Sequence, residues 1–246
     1  MSTHESKACR ERPPAAIDEG YTPKGNYETY ANLKCYVTGP KDAKKAIYFI
    51  YDVFGFEMPT LQGADILSST GYLVVMPDFF DGAPVKREWF ARDTEEKKEK
   101  IAQFMTRISD PKPYIEKVYA ILTALKQAYH AESWGAIGYC WGGKIVTLTS
   151  TKDTPWSAAI ESSPARVDAE DAKTIIIPFA MLVSKEEPMD AVKAKFEALQ
   201  SPKLLEIFDS QIHGWMSARA DLHDPEVKKE YERGYQIALD FFGQHL

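Results

Sequence analysis

The stretch Gly138-Tyr139-Cys140-Trp141-Gly142-Gly143 sets a thiol among three glycines. Trp134 to Ile137, just before it, has the composition of a buried strand, and Lys144 to Leu148, just after it, can open a helix. A cysteine on a sharp strand-to-helix turn presents its sulfur above a sheet, beside the free amides and partial positive charge of a helix N-terminus. That setting can lower a thiol's pKa and can donate hydrogen bonds to an oxyanion, with the Trp141 amide as the first donor. Gly138 and Gly142 flank Cys140 at the G-x-nucleophile-x-G spacing of a nucleophile elbow, where strand and helix approach too closely for a Cβ. Gly143 removes one more side chain from the start of the helix. The bland alternative is a buried structural cysteine in a glycine-rich turn.

A nucleophile of this kind needs a base and an acid, expected in the chain order nucleophile, acid, histidine. Of the five histidines, His4 lies near the N-terminus, His130 precedes the turn and His245 adjoins the C-terminus. His213 follows an apolar run ending at Phe208 and is followed by Gly214, whereas His223 sits in an ordinary turn before Pro225. His213 is therefore the expected base. The acid should follow the strand expected at Ile175 to Leu182, where Ser184-Lys185-Glu186-Glu187-Pro188 offers Glu186 and Glu187. Asp52, at the end of the apolar run Ala46 to Tyr51, is a further carboxylate placed to reach the thiol or an arginine; its plain reading is a turn or N-cap residue.

These residues need a scaffold. The 246-residue chain is 44% hydrophobic, enough for a sizeable core. Strands are expected at Ala46 to Tyr51, Tyr72 to Met76, Trp134 to Ile137, Ser157 to Ile160, Ile175 to Leu182 and Leu204 to Phe208. Between them, Thr60 to Ser69 reads as a helix. Ile101, Phe104, Met105 and Ile108 form one helical face, and Ile115, Val118, Tyr119 and Leu122 form another. Val227, Tyr231, Tyr235, Ala238 and Phe242 line a terminal helix. This alternation predicts an α/β protein with a mostly parallel sheet covered on both faces, its site beyond the carboxyl ends of the strands. Residues 1–28 read as an irregular arm and 29–246 as a single domain.

A net charge of -6 argues against nucleic acid or an anionic membrane as the main partner. Cys9, Cys35 and Cys140 are odd in number and far apart, which excludes a disulfide framework, and the N-terminal residues lack the apolar stretch of a signal peptide. A cytoplasmic location is expected. With no metal-ligand spacing, GxGxxG or P-loop, no metal and no cofactor are expected.

In the order of its motifs from about residue 20 to the end, the chain resembles the dienelactone hydrolase (carboxymethylenebutenolidase) family, especially its cytosolic fungal homologues. The resemblance is carried by Tyr36-Val37-Thr38-Gly39-Pro40, Tyr51-Asp52-Val53-Phe54-Gly55, Met76-Pro77-Asp78-Phe79-Phe80, the cysteine turn, and His213-Gly214-Trp215 with Arg219 downstream. It implies an α/β-hydrolase fold and a Cys-acid-His triad, with Cys140 as nucleophile, His213 as base and the amides of Trp141 and Val53 as oxyanion hole. An ungapped match places the acid at Glu186, with Glu187 as the alternative. The resemblance also implies that Asp52 contacts the resting thiol and Arg219, and that substrate binding releases it as a base that generates the thiolate. Ser163-Pro164-Ala165 stands where fungal homologues often carry His-Pro. The expected substrate is a small ester or lactone. The alternatives are a non-hydrolytic isomerase or cyclase on the same fold, and a non-catalytic ligand-binding or redox-sensing protein.

Overall fold

The computed structural model describes residues 20–246; Cys9, His4 and most of the expected arm lie outside them. Its centre is a single eight-stranded sheet, in the order β1-β2-β4-β3-β5-β6-β7-β8. The strands are β1 (Asn26–Tyr30), β2 (Leu33–Thr38), β3 (Lys45–Ile50), β4 (Leu73–Pro77), β5 (Ser133–Tyr139), β6 (Ala158–Ser162), β7 (Phe179–Ser184) and β8 (Lys203–Phe208). From β4 onward along the sheet, neighbours pair in parallel, and β2 pairs antiparallel with both β1 and β4. The central strands are apolar almost throughout because both faces are covered.

The covering helices are α1 (Met58–Ser68), α2 (Glu95–Arg107), α3 (Lys112–Ala128), α4 (Trp141–Thr149), the single turn α5 (Ala169–Ala172), α6 (Met189–Ala198) and α7 (Pro225–His245). Helix α2 carries its start signal openly: the Thr94 hydroxyl accepts from the Lys97 amide, Glu95 and Glu96 occupy the first turn, and Arg107 the last. Helix α7 is capped in the same way by Asp224, whose carboxylate accepts from the amides of Glu226 and Val227.

Several sequence expectations shift. The boundary at residue 28 falls inside β1, which starts at Asn26 and forms a hairpin with β2 through Ala31 and Asn32, both at positive φ. The residues before it are tied down as well. Asp65 in α1 accepts from the Tyr21 hydroxyl at 2.6 Å, the Lys24 amide at 2.9 Å and the Tyr36 hydroxyl at 2.7 Å. In α3 the buried face is Tyr114, Val118, Ile121, Leu122 and Leu125, with Tyr119 largely exposed, so the face is rotated from the one expected. β7 begins at Phe179 rather than Ile175, because Pro178 has no N–H for the ladder and ends the irregular run before it. Helix α6, absent from the sequence reading, buries only Val192 and Lys195 fully, and a lysine does not mark a core face in sequence.

Replacing Asp65 with alanine leaves two buried or part-buried phenol hydroxyls and an amide without their acceptor. Urea unfolding of Asp65→Ala is expected to show a loss of about 3 kcal/mol or more; a change within about 0.5 kcal/mol would mean that water replaces the carboxylate.

Candidate active site

Cys140 is the residue between β5 and α4, at φ 54 and ψ -112. L-residues rarely hold that conformation, and it is kept here by packing on both sides. A Cβ on Gly138 would overlap the carbonyl of Gly142, and one on Gly142 would overlap the carbonyls of Ile50 and Tyr51. Gly143 is less constrained, since a Cβ there would lie 3.3 Å from the Glu161 Cβ. The turn is also hydrogen-bonded to its neighbour: the Cys140 amide donates to the Ser162 carbonyl at 3.0 Å, and the Cys140 carbonyl accepts from the Ala165 amide at 3.1 Å. Trp141 opens α4, so its amide has no acceptor within the helix. Its ring is packed by Phe79, Phe80 and Tyr114, with centroids 5.8, 4.9 and 4.9 Å away. The sulfur residue itself is 2% exposed.

His213 lies on the loop after β8, fully buried, and its ring is hydrogen-bonded to Cys140. Its Nδ1 meets Glu187 Oε1 at 2.7 Å. The other Glu187 oxygen accepts from the Ser184 amide at the end of β7, which fixes the carboxylate. Glu186 points elsewhere: its Oε2 accepts from the backbone amide of His213 at 3.1 Å. The ungapped alignment favoured Glu186, and the geometry instead puts Glu187 on the imidazole. The chain turns tightly after β7, so adjacent carboxylates diverge and only the second reaches the ring.

The His213 loop is held at two further points that the sequence did not reveal. The Gly214 amide donates to Ser163 Oγ at 2.9 Å, so the Ser163-Pro164 segment after β6 supports the histidine turn. Gly214 has φ 86, a conformation suited to glycine. Ser217 Oγ donates to Asp52 Oδ2 at 2.7 Å, and the Ala218 amide reaches the same oxygen at 3.3 Å. The Phe54 amide donates to Asp52 Oδ1 at 2.9 Å. Asp52 thus fastens the end of β3, where Val53 lies, to the loop that carries His213 and Arg219. Arg219 is buried with its guanidinium 4.9 Å above the Phe54 ring. His223, in contrast, is exposed beyond this loop.

Burial opposes a charged His213 imidazole. The negative charge of the Cys140 sulfur and its hydrogen bond, joined by the Glu187 carboxylate, outweigh burial and push the pKa from 6.5 up to about 10. Because the folded value is raised, the histidine's own contribution to stability is complete below about pH 6.5 and is lost as pH rises through about 10. The direction of the shift favours a protonated imidazole facing the Cys140 sulfur. Cys35, the other described cysteine, is pushed up to about 12 by burial, which keeps it an unreactive thiol.

No group of described residues has the make-up of a metal site, and among them no helix is long and apolar enough to cross a membrane. A depression of about 410 Å³ lined by Lys126, His130, Trp134 and Ser157 opens at the amino end of β5, the opposite end of the sheet from Cys140.

A mostly parallel sheet with a positive-φ residue on the β5–α4 turn, followed in chain order by a carboxylate and a histidine that converge on it, defines the α/β-hydrolase fold. Within that class the chain belongs to the dienelactone hydrolase family, whose model matches residues 33–246. It is 32% identical to an AIM2 family protein of Schizosaccharomyces pombe, over 94% of this chain and 95% of that one. It is 27% identical to the human carboxymethylenebutenolidase homolog, over 87% and 89%. The solved dienelactone hydrolase of Anabaena variabilis superposes with a TM-score of 0.62, covering 92% of this chain and 98% of that one at 14% identity, a likeness of fold.

The His213 titration can be followed directly by NMR of labelled imidazole. The ring is expected to stay protonated through pH 8 and to titrate near 10. In Cys140→Ala, the largest upward influences are gone and burial opposes Glu187 alone, so the transition should move down by more than one pH unit. An unchanged curve would show that the sulfur carries no charge in the resting protein.

Proposed function

We propose that this hydrolase cleaves small carboxylic esters or lactones through Cys140, His213 and Glu187, by way of an acyl-thioester. The observation that carries the reading is the convergence of three residues from three separate loops. The strained Cys140 turn, His213 and Glu187 meet through hydrogen bonds while each is almost wholly buried. A structural cysteine has no need of an imidazole whose far nitrogen is held by a carboxylate.

In the proposed reaction the Cys140 sulfur attacks the carbonyl carbon, and the carbonyl oxygen takes up the negative charge. The amides of Trp141 and Val53 serve as donors to that oxygen. The supporting geometry is the close seating of α4 against the end of β3, which brings the two amides' segments together. The tetrahedral intermediate collapses as the C–O bond breaks, and the His213 imidazolium gives its proton to the leaving alkoxide. Neutral His213 then takes a proton from water, whose oxygen attacks the thioester carbon. Collapse releases the acid and returns Cys140 as thiolate opposite imidazolium. Glu187 holds the ring in the tautomer with Nδ1–H and stabilises it when charged. Glu186 and Asp52 shape the loop around it.

Incubation with p-nitrophenyl acetate tests the reading. Turnover is expected, with an acetyl group on Cys140 detected by peptide mass mapping and activity lost in step with iodoacetamide labelling of that residue. Activity that survives full labelling of Cys140 would remove the thiol from the mechanism.

The acid is tested by amide substitution. Glu187→Gln is expected to lower kcat by roughly a hundredfold or more, and Glu186→Gln by less than about tenfold, since it disturbs only a backbone contact. The reverse ranking would return the role to Glu186. His213→Ala should abolish nearly all turnover, and His223→Ala should leave it near wild type.

A further inference from the structure

Beneath the site lies an ion pair that the reaction does not use. Lys195 on α6 is 2% exposed and Glu161 on β6 is 0% exposed. Lys195 Nζ donates to Glu161 Oε2 at 2.6 Å and to Thr147 Oγ1 at 2.9 Å, and Thr147 Oγ1 donates to the same Glu161 oxygen at 2.7 Å. The three residues come from three elements. Thr147 is on α4, the helix that Cys140 opens. Glu161 is on β6, which accepts the Cys140 amide through Ser162. Lys195 is on α6, which begins at Met189, two residues after Glu187.

We infer that Lys195 and Glu161 are positioning residues, which set the distance between the Cys140 turn and Glu187 by joining the helices that follow each. The inference rests on the triad reading above. Removing two charges from water is costly, and an apolar pair of similar volume would often stabilise a core as well or better. Stability is therefore a weak account of the pair. An ion pair has something apolar packing lacks, a single short-range geometry: a helix that slides along its axis loses the contact between Nζ and two oxygens. Lys195 lies in the second turn of α6, so any slide of that helix is passed along a rigid rod to Pro188 and Glu187. Phe179, at the start of β7, has its ring centroid 5.4 Å from Lys195 Nζ. The nucleophile arm and the acid arm are thereby registered to one carboxylate, away from substrate.

The experiment is a double-mutant cycle on kcat for p-nitrophenyl acetate. Lys195→Met and Lys195→Met/Glu161→Gln are each combined with Glu187→Gln; the neutral pair keeps the volume and leaves no unpaired buried charge if the single variant folds poorly. In the otherwise wild-type protein, the neutral pair is expected to lower kcat by roughly ten- to a hundredfold, with KM changed by less than about threefold. In the Glu187→Gln background, the same substitutions should lower kcat by no more than about twofold, because a misplaced acid costs nothing once the acid is gone. Lys195→Arg, which can keep the pair, should recover part of the loss. Equal losses in both backgrounds would show that the pair acts independently of Glu187 and overturn the inference while leaving the triad intact. A Glu187→Gln variant with wild-type kcat would overturn the triad reading and this inference together.

Discussion

Helix α4 sits hard against the end of β3, and the rest of the site depends on that approach. Two glycines make it possible: Gly142 faces the carbonyls of Ile50 and Tyr51, and Gly138 faces Gly142 itself. With the helix seated so closely, the chain has too little room to leave β5 in an ordinary conformation, and Cys140 is driven to positive φ. The same approach brings the first amide of α4 beside the β3 loop and raises the sulfur above the sheet. Strain at one residue is held by packing on many.

The second organising effect is electrostatic. A buried imidazole would ordinarily be neutral. Here a sulfur on one side and Glu187 on the other oppose that preference and push the pKa of a fully enclosed ring upward. The loop bearing it is correspondingly restrained, by Ser163 at Gly214, by Glu186 at the His213 amide, and by Asp52 at Ser217 and Ala218. Each restraint comes from a different strand end. The histidine is held by the sheet as a whole rather than by its own loop.

The sequence was most informative where a residue's type is dictated by backbone geometry. Glycine spacing around Cys140, apolar strands ending in turns and the position of His213 after β8 are all written into local sequence, and so was the α/β architecture. It was least informative where side-chain direction decides. Glu186 and Glu187 are equivalent as letters, and only the turn after β7 separates ring from backbone. Asp52 is visible as a carboxylate at a strand end, but its partners Ser217 and Ala218 lie more than 160 residues away. Helix α6 was hidden because its buried face carries Lys195, which pattern reading assigns to the surface. The edge hairpin was missed because β1 is polar, paired on one side only and largely exposed.

The enclosure of the site has a consequence for the fate of an acyl group. With Cys140, His213 and Glu187 all nearly inaccessible, an acyl-thioester formed there would be surrounded by protein rather than by solvent. Its lifetime would then be governed by admission of the second nucleophile more than by the strength of the base. Water has no chemical privilege in that competition. A small alcohol or amine that fits the same approach would compete with water for the acyl group, so under the proposed mechanism the balance between hydrolysis and transfer would depend on which nucleophile the enclosure admits.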